Sequence, residues 1–215
     1  KMTYIKSPMD IEKRSFEIIT EELGEKAEKF TEEEKPVIKR VIHTTADFEY
    51  ADLIEFKNDA IKSGMDALKS GCRIYCDTNM IVNGLSRKVL SEFGVTAYSL
   101  VGDPEVAKEA KERGVTRSIV GLEKALEDEE TKIFLIGNAP TALYTLLEKV
   151  DSGKYDKPKL IVGAPVGFVG AAESKEELSK YDIPYIRIRG RKGGSTVSVA
   201  ILHGILYQMY ERESY

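Results

Sequence analysis

Short apolar runs alternate with longer amphipathic segments from residue 72 onward, whereas the first 70 residues show only the three-to-four-residue spacing of helices. Five runs predict strands, at 72–76, 95–100, 133–136, 160–162 and 185–188. Helices are predicted between and after them, at 79–93, 105–113, 117–126, 141–150, 174–180 and 196–211. Strands that alternate with helices favour an α/β fold in which a parallel sheet is covered on both faces.

The N-terminal third is predicted to be helical, at 8–23, about 32–43 and 58–69. We therefore predict one domain over residues 1–215, with a helical N-terminal extension (1–70) on an α/β core (71–215). The preferred architecture is a flavodoxin-like, three-layer parallel sheet of about five strands in the order 2-1-3-4-5. This order places the third and fourth strands, which are among the most apolar, in the middle of the sheet.

The chain is organised around residues 133–143. Four consecutive apolar residues form a predicted buried strand, Gly137 and Asn138 end it, and Pro140 suits the first turn of a helix. Free backbone N–H groups and the positive end of a helix dipole point outward at such a junction. We therefore expect a ligand site between the loops that follow the first and third strands.

Composition narrows the class of protein. No apolar run is long enough to span a membrane and the start lacks a signal-peptide pattern, so we expect a soluble, cytoplasmic protein that contacts no membrane. The net charge of −4 argues against a nucleic-acid partner. Cys72 and Cys76 lie on one predicted strand with Cα atoms roughly 13 Å apart, too far for a disulfide or for ligation of one metal ion. The two histidines do not favour a metal cage.

The loops at the carboxyl ends of the strands are rich in small residues. They cover 77–80, 137–140, 163–175 and 190–196. Small residues let a flat ligand approach backbone N–H groups, while Arg189, Arg191 and Lys192 could pair with carboxylates. A large polyanionic ligand fits this pattern. The glycine signatures of dinucleotide-binding and P-loop proteins are absent from the sequence, which disfavours a nucleotide ligand.

Five segments together resemble the precorrin-8X methylmutase family, which includes the cobalt-precorrin-8 methylmutases of the anaerobic cobalamin pathway. They are RVIHT (40–44), CDT (76–78), IGNAPTAL (136–143), GFVGAAESK (167–175) and GRKGGS (190–195). The match runs through nearly the whole chain in the same order.

The resemblance implies an isomerase of corrin-ring biosynthesis that moves a methyl group between adjacent carbons at pyrrole ring C. Precorrin-8X would become hydrogenobyrinate, or cobalt-precorrin-8 would become cobyrinate. The resemblance also implies a homodimer that needs no cofactor or metal. The family's histidine, a proton donor or acceptor at a ring nitrogen, aligns with His43.

By the same resemblance, Ser15, Arg40 and Arg117 are substrate contacts, while Glu12 replaces a tyrosine found in some relatives. The resemblance and the glycine-rich loops together also predict substrate contacts along the sheet edge. These are Thr78, Gly137, Asn138, Gly167, Gly170, Arg191, Gly194 and Ser195.

Each assignment has a structural alternative. His43 could cap or pack a helix end, and Thr78 could cap the helix after the first strand. Ser195 is interpreted mainly as the N-cap of the last helix, and His203 as a core or dimer-interface residue. Arg117 could pair with Glu123.

Two other functions also stay open. A corrinoid carrier is disfavoured because the D-x-H-x-x-G signature of base-off cobalamin binders is absent. The second open function is that of a flavin or nucleotide enzyme built on the same flavodoxin-like sheet. The sequence does not distinguish a cobalt-containing substrate from a metal-free one.

Overall fold

The computed structural model describes residues 2–210. The strands are β1 (Ile54–Lys57), β2 (Arg73–Cys76), β3 (Thr96–Tyr98), β4 (Thr131–Ile136), β5 (Leu160–Gly163) and β6 (Tyr185–Ile188). The helices of the N-terminal third are α1 (Pro8–Leu23), a 3₁₀ helix (Gly24–Lys29), α2 (Lys35–Thr45), α3 (Tyr50–Leu53) and α4 (Ala60–Lys69). The later helices are α5 (Asn79–Gly84), α6 (Arg87–Glu92), α7 (Pro104–Arg113), α8 (Arg117–Leu126), α9 (Pro140–Asp151), α10 (Ala171–Leu178) and α11 (Ser195–Met209).

The sheet has six strands in the order β1-β6-β5-β4-β2-β3. Strands β2 to β6 are mutually parallel, and they lie in the predicted order 2-1-3-4-5, so that prediction is confirmed. The sixth strand, β1, was not predicted. It pairs antiparallel with β6 at one edge, with Ile54 opposite Ile188.

Alternate residues of the strands feed two separate apolar layers, which confirms the three-layer fold. Ile133 and Leu135 of β4 point into a core shared with α2, α4 and α11. Phe134 and Ile136 point to the opposite face, where α8, α9 and α10 pack. All four of these side chains are at most 1% exposed, as expected for a strand covered on both sides.

Helix α2 lies antiparallel along α11. The Gln208 side chain donates to the Glu33 carbonyl (2.8 Å), and at the other end the Lys192 ammonium pairs with Asp47. Between these contacts, Gly204 sits directly against Val37. The C-terminal end of α2 therefore lies beside the N-terminal end of α11, at the edge of the sheet where the parallel strands end.

One predicted helix is in fact two. Residues 79–93 form α5 and α6, because Ser86 interrupts the run and caps α6 by accepting a hydrogen bond from the Val89 N–H. The predicted end of the last helix at Glu211 lies outside the described residues.

Gly204 of α11 lies directly against the backbone of α2, and its replacement by alanine is the first test of this packing. A Cβ at this position would lie 2.6 Å from the Val37 Cα, and backbone cannot yield as a flexible side chain does. We expect Gly204→Ala to lower the free energy of unfolding by about 1–3 kcal/mol, measured by urea denaturation.

Gly64→Ala in α4 is the matched control, because its Cβ would meet side-chain atoms and no backbone: Leu160 Cδ2 at 3.0 Å and Ile205 Cδ1 at 3.5 Å. Alanine also has the higher helix propensity, by up to about 1 kcal/mol. Equal losses for the two variants would contradict the close helix contact.

In the part of the chain that the structure describes, no helix combines the length and apolar character that a membrane crossing needs. Cys72 and Cys76 are both buried free thiols.

Candidate functional site

Asp77 joins the loops that follow β2 and β4. Its carboxylate, 2% exposed, accepts hydrogen bonds from the backbone N–H groups of Gly137 (2.8 Å), Asn138 (2.9 Å) and Ala139 (2.7 Å). Burial raises the pKa of the Asp77 carboxyl, and the three N–H donors act in the opposite direction.

This contact corrects one prediction. The N–H groups of Gly137 and Asn138 were expected to receive a ligand, but they already bind the Asp77 carboxylate, which also lies at the positive end of the α9 dipole. Gly137 itself is required for packing, since a Cβ there would lie 2.8 Å from the Ser195 Cα. The junction at 136–140 is thus a structural clamp between β2, β4 and α11.

The glycine rim, defined as residues 137–139, 164–170 and 190–194, is held together by its own backbone. The Gly167 N–H donates to the Arg191 carbonyl (3.1 Å), and the Gly194 N–H donates to the Ala164 carbonyl (2.9 Å). Gly193 adopts φ +157°, and a Cβ there would lie 2.3 Å from the Ala164 oxygen. The two loops can approach this closely only because glycine occupies that position.

Thr78 and Ser195 meet across the carboxyl edge, with their hydroxyl oxygens 2.9 Å apart. Thr78 also caps α5, as the structural alternative predicted, by accepting from the Ile81 N–H. Ser195 is not the N-cap of α11. That position belongs to Gly194, which has no side chain to offer, and within residues 2–210 no side chain caps the first turn of this 15-residue helix.

His43 lies in the last turn of α2, and the antiparallel packing places this end beside the start of α11. Its imidazole is exposed, and the Phe16 ring of α1 packs beside it at 5.0 Å between centroids. His43 is therefore supported on one side by α1 and accessible on the other.

Arg40 and Ser15 lie farther along the same helices. The Arg40 guanidinium sits between the Phe16 ring (5.2 Å) and the Tyr207 ring (4.8 Å) and pairs with Glu12 at 3.6 Å. Glu12, at the position of the family's tyrosine, therefore pairs with a predicted substrate contact. Ser15 donates its hydroxyl to the Ile11 carbonyl.

A cavity of about 470 Å³ opens beside Arg40. It is bounded by α1, α2 and the C-terminal half of α11, with Lys35, Lys39 and Tyr207 among its lining residues. Among the predicted contacts Arg40 lines this cavity, whereas most of the others lie along the glycine rim. His43 lies on the helix that connects the cavity and the rim.

Arg117 is exposed at the start of α8, next to the rim: the hydroxyl of the preceding Thr116 lies 3.3 Å from that of Thr141 in the first turn of α9. The suggested pairing of Arg117 with Glu123 is wrong, because Glu123 binds Arg113 through two hydrogen bonds of 2.8 and 3.1 Å.

Comparisons with known proteins match the chain to one family over most of its length. A sequence model of precorrin-8X methylmutase matches residues 10–208. The chain belongs to the precorrin-8X methylmutase family. The cobalt-precorrin-8 methylmutase of Priestia megaterium is 46% identical over 92% of this chain and 87% of its own length. That of Salmonella typhimurium is 43% identical over 98% of this chain and its full length. A crystal structure of precorrin-8X methylmutase from Thermus thermophilus superposes with a TM-score of 0.85 at 40% identity, covering 93% and 95% of the two chains.

His203, the other histidine of this methylmutase-family chain, has a structural role. Its Nε2 accepts a hydrogen bond from the Ser86 N–H at 3.1 Å, and its ring stacks on Tyr207 at 4.6 Å. It is half-buried rather than a core residue, and it joins α11 to the start of α6. Sequence periodicity could not show this, since Ser86 lies 117 residues away.

The sequence reasoning missed two features of the methylmutase-family rim. Phe168 and Val169 are 80% and 91% exposed, and the Arg191 guanidinium lies 5.2 Å from the Phe168 ring centre. Lys175, by contrast, is wholly buried beneath the rim. The sequence offered a signal for Phe168 and Val169, because they are an apolar pair within a glycine-rich loop. It offered none for the burial of Lys175, because a lysine in an amphipathic helix is usually exposed.

The two charged groups that join α2 to the rim stabilise each other. The hydrogen bond from Lys192 lowers the pKa of Asp47, and the same bond raises the pKa of Lys192. Glu49 adds a second acidic partner 3.4 Å from the Lys192 ammonium. The segment after His43 is thereby held against residues 190–194 by charge.

Proposed function

We propose that this protein catalyses the methyl migration at pyrrole ring C of precorrin-8X or its cobalt form, with His43 as the proton donor or acceptor. Membership of the family makes the chain an isomerase of cobalamin biosynthesis. The observation that carries the residue assignment is the position of His43: an accessible imidazole in the last turn of α2, beside the start of α11, on a helix that the Asp47–Lys192 pair joins to the glycine rim.

Substrate and product of this reaction are isomers. The bond from the methyl carbon to one ring carbon breaks as the bond to the adjacent ring carbon forms, so no atom, electron or oxidant is gained or lost. A proton or hydrogen bond at a ring nitrogen polarises the conjugated system and lowers the barrier. His43 supplies that proton and takes it back, because an imidazole nitrogen can both donate and accept a proton.

The rim and the first turn of α11 offer a fixed, positively biased surface for the carboxylates of the substrate. Arg191 is exposed there, the α11 N-terminus has no side-chain cap, and Arg117 lies nearby at the start of α8. Because the rim's loops are already hydrogen-bonded to each other, little conformational entropy is lost when the ring binds. The roles of Thr78, Gly167 and Gly170 as contacts, and of Asn138 through its exposed side chain, are part of this proposal.

Turnover is tested by incubating the purified protein with metal-free precorrin-8X and with cobalt-precorrin-8 in separate reactions. The visible absorption spectrum should change to that of the rearranged ring in at least one reaction. Binding of both compounds without a spectral change on the time scale of turnover would instead favour a corrinoid carrier, and a bound flavin would favour the third class of function.

We also propose that the protein acts as a homodimer. The support is an apolar surface on α1 and the segment before it, where Tyr4, Ile5, Ile11 and Ile18 are between 38% and 66% exposed. Surfaces of this kind are typical of protein interfaces. Light scattering after size-exclusion chromatography should give twice the mass of the chain, and a monomer at micromolar concentration would contradict the proposal.

A further inference from the structure

Lys175 is a charged side chain in an unusual place. It lies on α10, in the core beneath the glycine rim, with 0% of its surface exposed. Its ammonium donates a hydrogen bond to the Lys192 carbonyl at 2.9 Å. Burying an ammonium is costly, so a lysine at such a position needs a compensating interaction or a function.

The carbonyl that Lys175 holds belongs to the cationic loop of the rim. Lys192 follows Arg191 and precedes Gly193, which packs against the Ala164 oxygen. Through its own side chain, Lys192 binds Asp47 in the turn after α2. Lys175 thus holds the backbone of Lys192, and the Lys192 side chain in turn holds the turn that follows α2, the helix that carries His43.

Lys175 is itself held by an ion-pair network at the sheet edge. The Arg187 guanidinium donates to the Lys175 carbonyl at 2.9 Å. Glu55 of β1 binds Arg187 through two hydrogen bonds of 3.1 and 3.2 Å, and Glu176 lies 3.3 Å from it. The backbone that carries the Lys175 side chain is therefore held in place by contacts among α10, β6 and β1.

We propose that Lys175 is a positioning residue for the methyl migration: its ammonium holds residues 190–194 in the shape that receives the carboxylates of the ring. The inference rests on the proposed function, since it assigns these residues to substrate binding. Lys175 acts through the loop and does not itself touch the substrate.

The charge state of Lys175 makes the loop sensitive to pH. Burial and the neighbouring Arg187 lower the pKa of Lys175 to about 8. Acidic side chains lie on or near α10. Glu55 and Glu176 pair with Arg187, while Glu173 and Glu177 lie near Tyr144 of α9. As pH rises through about 8, Lys175 loses its proton and the hydrogen bond to the Lys192 carbonyl loses its charge assistance.

The test is Lys175→Met, which keeps the length of the side chain and removes its charge. We expect KM for the ring substrate to rise about tenfold while kcat changes by less than about threefold, because the loop binds ground and transition states alike. In the wild type, KM should increase between pH 7 and 9.5, and in the variant it should stay flat over that range. Lys180→Met, at an exposed lysine paired with Glu177 just after the same helix, is the control and should match the wild type.

A thermal melt separates positioning from simple stabilisation. Removing a desolvated charge offsets the lost hydrogen bond, so we expect the Tm at pH 7 to stay within roughly 3 °C of the wild type. An unchanged KM in a folded variant would overturn the proposal. So would a wild-type KM that is constant from pH 7 to 9.5, a measurement that does not depend on the variant folding. Absence of wild-type turnover would count against the proposed function instead.

Discussion

Replacing His43 by alanine is expected to reduce turnover of the precorrin-8 substrate by about 10²- to 10⁴-fold, the usual contribution of a positioned acid or base. The imidazole is exposed and lies at the end of α2, so its removal leaves the apolar packing of that helix through Val37, Ile38, Val41 and Ile42 intact. Binding of the corrin product, followed by its visible spectrum, should persist within about threefold, since in the proposed mode of binding the carboxylates of the ring contact the rim and not His43. Single-turnover kinetics with excess enzyme isolates the chemical step.

The chain provides its own control, because it contains only two histidines. His203→Ala removes the acceptor of the Ser86 N–H and one stacked ring, so it should lower stability while keeping turnover near the wild-type rate. If His43→Ala rearranges the substrate at a rate like that of His203→Ala, His43 is not the proton donor or acceptor.

Asp77→Ala should give the largest loss of stability among single substitutions at the carboxyl edge. The substitution leaves three backbone N–H groups without their acceptor, two of them in the buried residues Gly137 and Ala139. Each buried unpaired donor costs about 1–3 kcal/mol, while removal of a desolvated carboxylate offsets part of the loss. We expect a decrease of about 3 kcal/mol or more in the free energy of unfolding, and of roughly 10 °C in Tm.

Asp103→Ala is the comparison for Asp77. Asp103 caps α7 by accepting a single hydrogen bond from the Glu105 N–H at 2.8 Å, at a site that water can reach. Its loss should cost about 1 kcal/mol. Similar Tm values for the two variants would show that the clamp between β2 and β4 contributes little.

The fold was predictable from the sequence where a run of consecutive apolar residues marks a buried strand. Four apolar residues in β4 and three in β5 mark strands covered on both faces, and these central strands set the order of the sheet. Strand β1 was missed because charged residues, Glu55 and Lys57, make up half of it, and its pairing depends on Arg187 far along the chain. Ser86 was overlooked as a helix start for a related reason: its cap geometry cannot be told from a helix interior without coordinates.

The site was predictable by residue type more than by role. Glycines at 137, 193 and 194 were placed correctly at the rim, yet the donors at 137–139 bind Asp77, a partner 60 to 62 residues earlier in the chain. Arg40 and His43 share a helix and both lie beside the Phe16 ring, but only the packing of α1 and α11 on that helix brings Phe16 and Tyr207 to Arg40. Long-range contacts of this kind have no local pattern in the sequence.

The pairing of β1 with β6 also bears on how the chain is made. Residues 54–57 lie beside residues 185–188, and α2 packs on α11, so the first quarter of the polypeptide has its partners in the last. At a synthesis rate of roughly 5–20 residues per second, the early helices leave the ribosome many seconds before those partners exist. Their apolar faces therefore stay exposed during translation until residues 185–209 have been synthesised.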